Sequence, residues 1–193
     1  MKTIFFLIFA FLSTIGFSQK SESGFKSGII GGLVVSQVDG DEWGGYHKIG
    51  LQVGLQSRFI LRDKWALAIE LKYIQKGSVH TDKEDPYSYF RIKLDYIEIP
   101  ILLNYQINEH FIFGAGFSFG QLINAQIDDA NGNISGASRN YKNIDFNILG
   151  QVKYLLNEHF SVDIKMAYSI FYITNQSPRQ FNNLVSLGFA YEM

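Results

Sequence analysis

The chain has no cysteine, which removes disulfides, thiolate metal sites, cysteine nucleophiles and an amino-terminal lipoprotein anchor together. Proline occurs only three times. Charged residues make up 18%, below the roughly one quarter usual in globular proteins. The formal net charge is −1, so nothing points to nucleic acid as a partner. Past the first eighteen residues no apolar run is long enough for a membrane-spanning helix, so a membrane role has to be built from strands. What the chain does have is 17 Phe, 11 Tyr and 18 Gly among 193 residues, a composition that suits β-structure.

The amino terminus is a separate object. Met1-Lys2-Thr3 is a short basic start, residues 4–12 are apolar, and residues 13–18 are small or polar. Residues 1–18 therefore read as a signal peptide, cleaved before Gln19, and residues 19–193 as one domain. The apolar run is too short for the roughly 20 residues a span needs.

The domain alternates. Ile49, Leu51, Val53, Leu55, Phe59 and Leu61 share one face against Lys48, Gly50, Gln52, Gly54, Gln56 and Arg58. The same period of two recurs over 65–73, 97–105, 111–120, 144–154, 160–170 and 185–193. A first strand over 25–35 is less clean, because both its faces carry glycine and aliphatic residues. That makes eight strands, an even number as bacterial barrels require. Short turns at 62–64, 108–110 and 157–159 alternate with long polar loops near 37–47, 76–93, 124–142 and 173–183. Short turns on one rim, periplasmic, and long loops on the other are the outer-membrane arrangement. Tyr105 to Phe111 and Tyr154 to Phe160 also repeat an Asn-Glu-His turn between aromatics, which reads as a recurring hairpin and not as an active site.

Alternation also fits a soluble, ligand-binding barrel with its apolar face inward. Volume argues otherwise: an eight-stranded barrel is just wide enough for its own side chains, and this apolar set would overfill it. The opposite face is rich in Gly, Ala and Ser, which suits a crowded lumen better than a soluble surface. Trp65, Tyr73, Tyr105, Phe111, Tyr154, Phe160 and Tyr191 sit at strand ends, where a bilayer places amphipathic rings. The expected fold is all-β, an eight-stranded antiparallel up-and-down transmembrane β-barrel in the cell outer membrane.

The polar face then lines the lumen. It carries Arg58, Lys72, Lys153 and Lys165 against Glu70, Glu98, Asp145 and Asp163. Charges in so narrow a space have to pair, so these eight are expected to form a structural, salt-bridged filling. An ion or small-solute path is the alternative, and it needs a channel that eight strands rarely leave open.

Further features resemble a family. Gly28-Ile-Ile-Gly-Gly-Leu33 with Ser36, Gly50 and Gly54, Glu70-Leu-Lys-Tyr-Ile-Gln-Lys-Gly77, Tyr96-Ile-Glu-Ile-Pro100 and Gly114-Ala-Gly116 occur in an order that resembles the PorT-like outer-membrane β-barrels of Bacteroidetes. The resemblance implies an eight-stranded barrel and an outer-membrane address, and little about activity. Outer-membrane barrels usually end on an aromatic residue that the barrel assembly machinery reads. Here the strand finishes Tyr191-Glu192-Met193, so the signal is expected slightly inside the terminus, on Phe189 and Tyr191.

Chemistry is sparse. The four histidines, His47, His80, His110 and His159, lack the spacing of a metal site. His47 or His80 with Ser78 is the pair a loop-based lipid-modifying enzyme would need, without an acid in fixed register. The acidic stretches 81–86 and 128–133 read as turns, since the second lacks the frame and final Glu of a calcium loop. No enzyme activity and no cofactor are expected. The expected partners are outer-membrane lipid, the barrel assembly machinery and a protein reached through loops 76–93 and 124–142.

Overall fold

The computed structural model describes residues 24–41, 44–81, 89–130, 132–134, 136, 140–175 and 177–193. The expected signal peptide lies outside the described residues. The strands are β1 (Phe25–Asp39), β2 (Lys48–Arg62), β3 (Trp65–His80), β4 (Phe90–Gln106), β5 (Phe111–Asp129), β6 (Gly132–Asn133), β7 (Ile144–Leu155), β8 (Phe160–Ser169) and β9 (Phe181–Glu192). Each long strand pairs antiparallel with its neighbour, and β1 pairs with β9 to close an eight-stranded up-and-down barrel. β6 is a two-residue ribbon folded onto the end of β5.

The faces decide what kind of barrel this is. Ile49 is 71% exposed, Val53 59% and Phe189 55%, while Lys76, Ser118 and Asn147 are fully buried. Apolar residues look outward and polar residues look inward, the orientation a lipid solvent demands. Inward glycines make room for that polar filling. A Cβ at Gly116 would press into the Ile101 carbonyl, and Leu102 already occupies the lumen beside it.

The two rims differ. On the turn rim, Asn108 Oδ1 accepts from the amides of His110 (2.9 Å) and Phe111 (2.8 Å). Asn157 Oδ1 repeats this with His159 (2.9 Å) and Phe160 (2.8 Å). These Asx turns explain the repeated motif. His110 stacks on Tyr154 and His159 leans on Tyr191. The turn rim also carries four cross-strand aromatic pairs, Phe25–Phe59, Trp65–Tyr105, Phe111–Tyr154 and Phe160–Tyr191, all with ring centroids 4.8–5.0 Å apart. Every barrel strand supplies one ring to this girdle.

On the loop rim the strands are unequal. β3, β4 and β5 have 16, 17 and 19 residues, whereas β7, β8 and β9 have 12, 10 and 12. A tilted strand spans the hydrocarbon with about 9–11 residues, so β3 to β5 rise as a wall above the bilayer. This corrects the loop boundaries expected at 76–93 and 124–142: strand continues to His80, resumes at Phe90 and runs on to Asp129. The reason is chemical. Lys76, Gly77 and Ser78 look like loop in a sequence, yet in a barrel the polar side of a strand belongs inside. Gly77 takes φ 133°, a conformation that side-chain-bearing residues avoid.

Candidate functional site in the barrel lumen

All eight singled-out charges are ion-paired within the lumen, together with two others. Near the turn rim, Arg58 Nη2 meets Glu192 Oε2 at 2.5 Å and Lys153 Nζ meets Glu192 Oε1 at 3.5 Å. Gln56 Nε2 donates to the same carboxylate at 2.9 Å. Higher up, Lys165 Nζ lies 2.6 Å from Glu70 and 3.5 Å from Asp163. Lys72 lies 3.9 Å from Glu70 and 4.0 Å from Glu98, and donates to Gln52 at 3.1 Å. Lys76 then bridges Glu98 and Asp145, the latter at 2.9 Å. Asp145 also accepts from Ser169 (2.7 Å) and from Asn182 Nδ2 (2.8 Å).

Sequence reasoning missed Lys76 and Glu192. The sequence pattern puts Lys76 in a loop, whereas it lies in β3, and Glu192 belongs to the inward face of the last strand. With them the paired set has Arg58, Lys72, Lys76, Lys153 and Lys165 against Glu70, Glu98, Asp145, Asp163 and Glu192. Five positive and five negative groups cancel. Lys48, also missed, is buried beside Gly77 at the loop end of β2.

Above the ionic layers the filling turns apolar. Val38, Ile92, Ile127, Tyr141 and Ile173 are buried in one cluster that continues down through Ile74, Leu94 and Tyr96. Tyr141 and Ile173 come from the two loops on the short side of the barrel. An isolated bridge, Tyr141↔Thr174, ties those loops together, and the Lys142 amide donates to the Ile173 carbonyl at 2.7 Å. They fold across the mouth and pack on the inner face of the tall wall. Burial raises the Tyr141 phenol above its usual range, with the Asp41 charge adding to the effect. At the opposite end a 480 Å³ vestibule opens at the turn rim, lined in part by Lys26, Arg58, Gln106, Glu109, His110 and Glu158.

The other candidate groups are held in structural contacts. The Ser78 hydroxyl is buried and donates to Asp41 Oδ2 at 2.5 Å, so it is committed to a carboxylate. His80 ends β3 and is not in a loop. His159 Nδ1 hydrogen-bonds the Glu192 carbonyl at 3.0 Å. Asp128 accepts from Gln126 (2.9 Å) and Asn133 (3.2 Å) across the β5–β6 turn. Most of the acidic stretch 81–86 lies outside the described residues. Among the described residues no three His, Asp or Glu side chains are grouped to hold a metal ion.

Known proteins share this architecture. The crystal structure of Neisserial surface protein A is similar with a TM-score of 0.61 at 14% identity, covering 89% of this chain and 98% of that one. Ail, the attachment invasion locus protein of Yersinia pestis, is similar with a TM-score of 0.54 at 13% identity, covering 90% of this chain and 100% of that one. The crystal structure of Ail with the heparin analogue sucrose octasulfate gives a TM-score of 0.54 at 14% identity, covering 88% and 99%. At such identities the likeness is one of fold. No curated protein matches the sequence. Residues 17–175 match the family described as outer membrane protein beta-barrel domain, most of the chain, and with the outward apolar face and the girdle this places the protein in the outer membrane. The chain belongs to the outer membrane protein beta-barrel domain family.

Proposed function

We propose that this outer-membrane barrel is a closed scaffold that passes no solute, catalyses no reaction and acts as a structural or interaction protein through its loop rim. The observation that carries the reading is the filling of the lumen: two ion-paired layers of cancelling charge beneath an apolar plug. An ion entering this path would have to displace partners from buried carboxylates and ammonium groups, at several kcal/mol each. The loop rim, with its tall β3–β5 wall, offers the surface for a protein partner, and the turn rim faces the periplasm. Residues 1–18 direct export, and the assembly machinery reads the last strand.

A narrower kinship, with the PorT-like barrels, is supported by where its two most specific motifs meet. Lys76 of the Gln-Lys-Gly motif pairs with Glu98 of the Tyr-Ile-Glu-Ile-Pro motif, and its ammonium lies 5.0 Å from the Tyr96 ring centroid. The motif spacing is thus a lumen contact written in sequence.

The test is conductance. Folded protein inserted in a planar bilayer is expected to give no steady channels. Sustained openings of uniform size would favour the small-solute or ion pore instead.

A further inference from the structure

The wall has a recess on its outer surface that the lumen reading leaves unused. β5 pairs with β7 only as far as Gln121↔Ile144. One further bond, Leu122 N to Asn143 O at 2.7 Å, holds them, and beyond it residues 124–129 stay on β4 while the chain before β7 leaves the ladder. The divergence opens a 680 Å³ cavity lined in part by Leu122, Ile123, Asn124, Lys142, Asn143 and Asn175. Ile123 at its edge is 54% exposed.

Charge collects beside the recess, where Lys142 lines it and the Tyr172 ring links Lys142 to Arg179. The Lys142 ammonium lies 3.3 Å from the centroid of the Tyr172 ring, and the Arg179 guanidinium carbon lies 5.1 Å from the same centroid. Each cation gains from the ring, but two like charges against one aromatic repel each other. Among the described residues neither makes an ion pair. Asp95, opposite the lining residue Asn124, is engaged by Lys93 at 3.6 Å and by the Asn124 amide at 2.9 Å. The backbone beneath the cations is pinned: Lys142 N donates to Ile173 O (2.7 Å), Ile173 N to Gln180 O (2.8 Å) and Asn175 N to Asn140 O (2.8 Å). Just past the end of β8, Ile170 and Phe171 are exposed. A pair of cations on one aromatic ring, next to exposed apolar side chains, is the combination a barrel presents at the level of lipid headgroups.

We propose that this recess binds the phosphate-bearing headgroup of an anionic lipid in the loop-side leaflet. Arg179 presents a planar fork and Lys142 a point charge, the complementary pair for phosphate oxygens. Asn143 and Asn175 line the polar side of the recess, and an acyl chain runs down over Ile123. The phosphate relieves the repulsion between the two cations. The inference rests on the barrel standing in a bilayer and not on its lumen being closed, so a conducting barrel would leave it intact.

The experiment uses the full-length folded barrel in phosphatidylcholine nanodiscs doped with either bisphosphorylated or dephosphorylated lipid A, with retained lipid counted by native mass spectrometry. Wild type is expected to retain the phosphorylated form preferentially. K142A/R179A is expected to lower that retention about tenfold, while K142R/R179K keeps most of it. A heat-dependent gel shift verifies folding of each variant, and K142Q/R179Q, which keeps side-chain bulk, supplies the same reading should the alanine pair fold poorly. Equal retention by wild type and the charge-deleted variants overturns the site. So does equal retention of the two lipids. In detergent, inorganic phosphate that binds as tightly as the phosphorylated lipid would assign the site to a free anion and overturn the lipid assignment.

Discussion

At the scale of single residues, Lys76 carries the most. It is fully buried, bridges Glu98 and Asp145, and lies beside the Tyr96 ring. Lys76→Met leaves Asp145 without a cation, and removing one partner of a buried pair costs about 3–5 kcal/mol. Glu98 fares better, because Lys72 stays within 4.0 Å. Urea unfolding in lipid vesicles, followed by tryptophan fluorescence, is expected to show a loss of that size. Adding Asp145→Asn should recover part of it, and a double variant no more stable than the single one would count against the pairing. The same residue shows where sequence reading stops. Alternation identified Arg58, Glu70, Lys72, Glu98, Asp145, Lys153, Asp163 and Lys165 as one polar face. It could not tell which charge meets which, because Lys165 and Glu70 are 95 positions apart and meet only when the barrel is closed.

At the scale of elements, the turns were legible and the strand ends were not. Asn108 and Asn157 lie in a repeated motif, and the repeat has a local cause, a side-chain oxygen that accepts two backbone amides. Local causes leave local marks in a sequence. Asn157→Ala and Asn108→Ala are each expected to cost about 0.5–1.5 kcal/mol by the loss of these bonds. The two turns lie in different hairpins, so the losses should add in the same unfolding assay. Strong non-additivity would mean that the turns are coupled through the girdle. On the loop side β3 and β5 run further, and β4 begins earlier, than the sequence suggests, because their outer thirds mix Lys, Gly, Ser and Asp with aliphatics. Such a mixture is read as loop unless the inward direction is known, and only closure supplies that direction.

At the scale of the whole molecule, the barrel is obstructed twice, by apolar packing at the loop rim and by ion pairs beneath it. Y141A/I173A removes the two loop residues of the plug and leaves the ionic layers in place. The variant is therefore expected to stay silent in a planar bilayer while its loops become more open to protease. Channels in that variant would mean that the plug alone holds the path shut. The closing seam carries a last consequence. Arg58 enters with β2 and Lys153 with β7, yet both depend on Glu192, which arrives in the final strand, where Glu192 faces Gly28 of the first. Until β9 docks, Arg58 has no ion-pair partner in the lumen among the described residues and Lys153 keeps only Asp163, its cross-strand neighbour on β8. An almost finished sheet is thus electrically incomplete, and the step that joins its two edges is also the step that neutralises it, which makes closure a latch and leaves partly assembled forms little reason to persist.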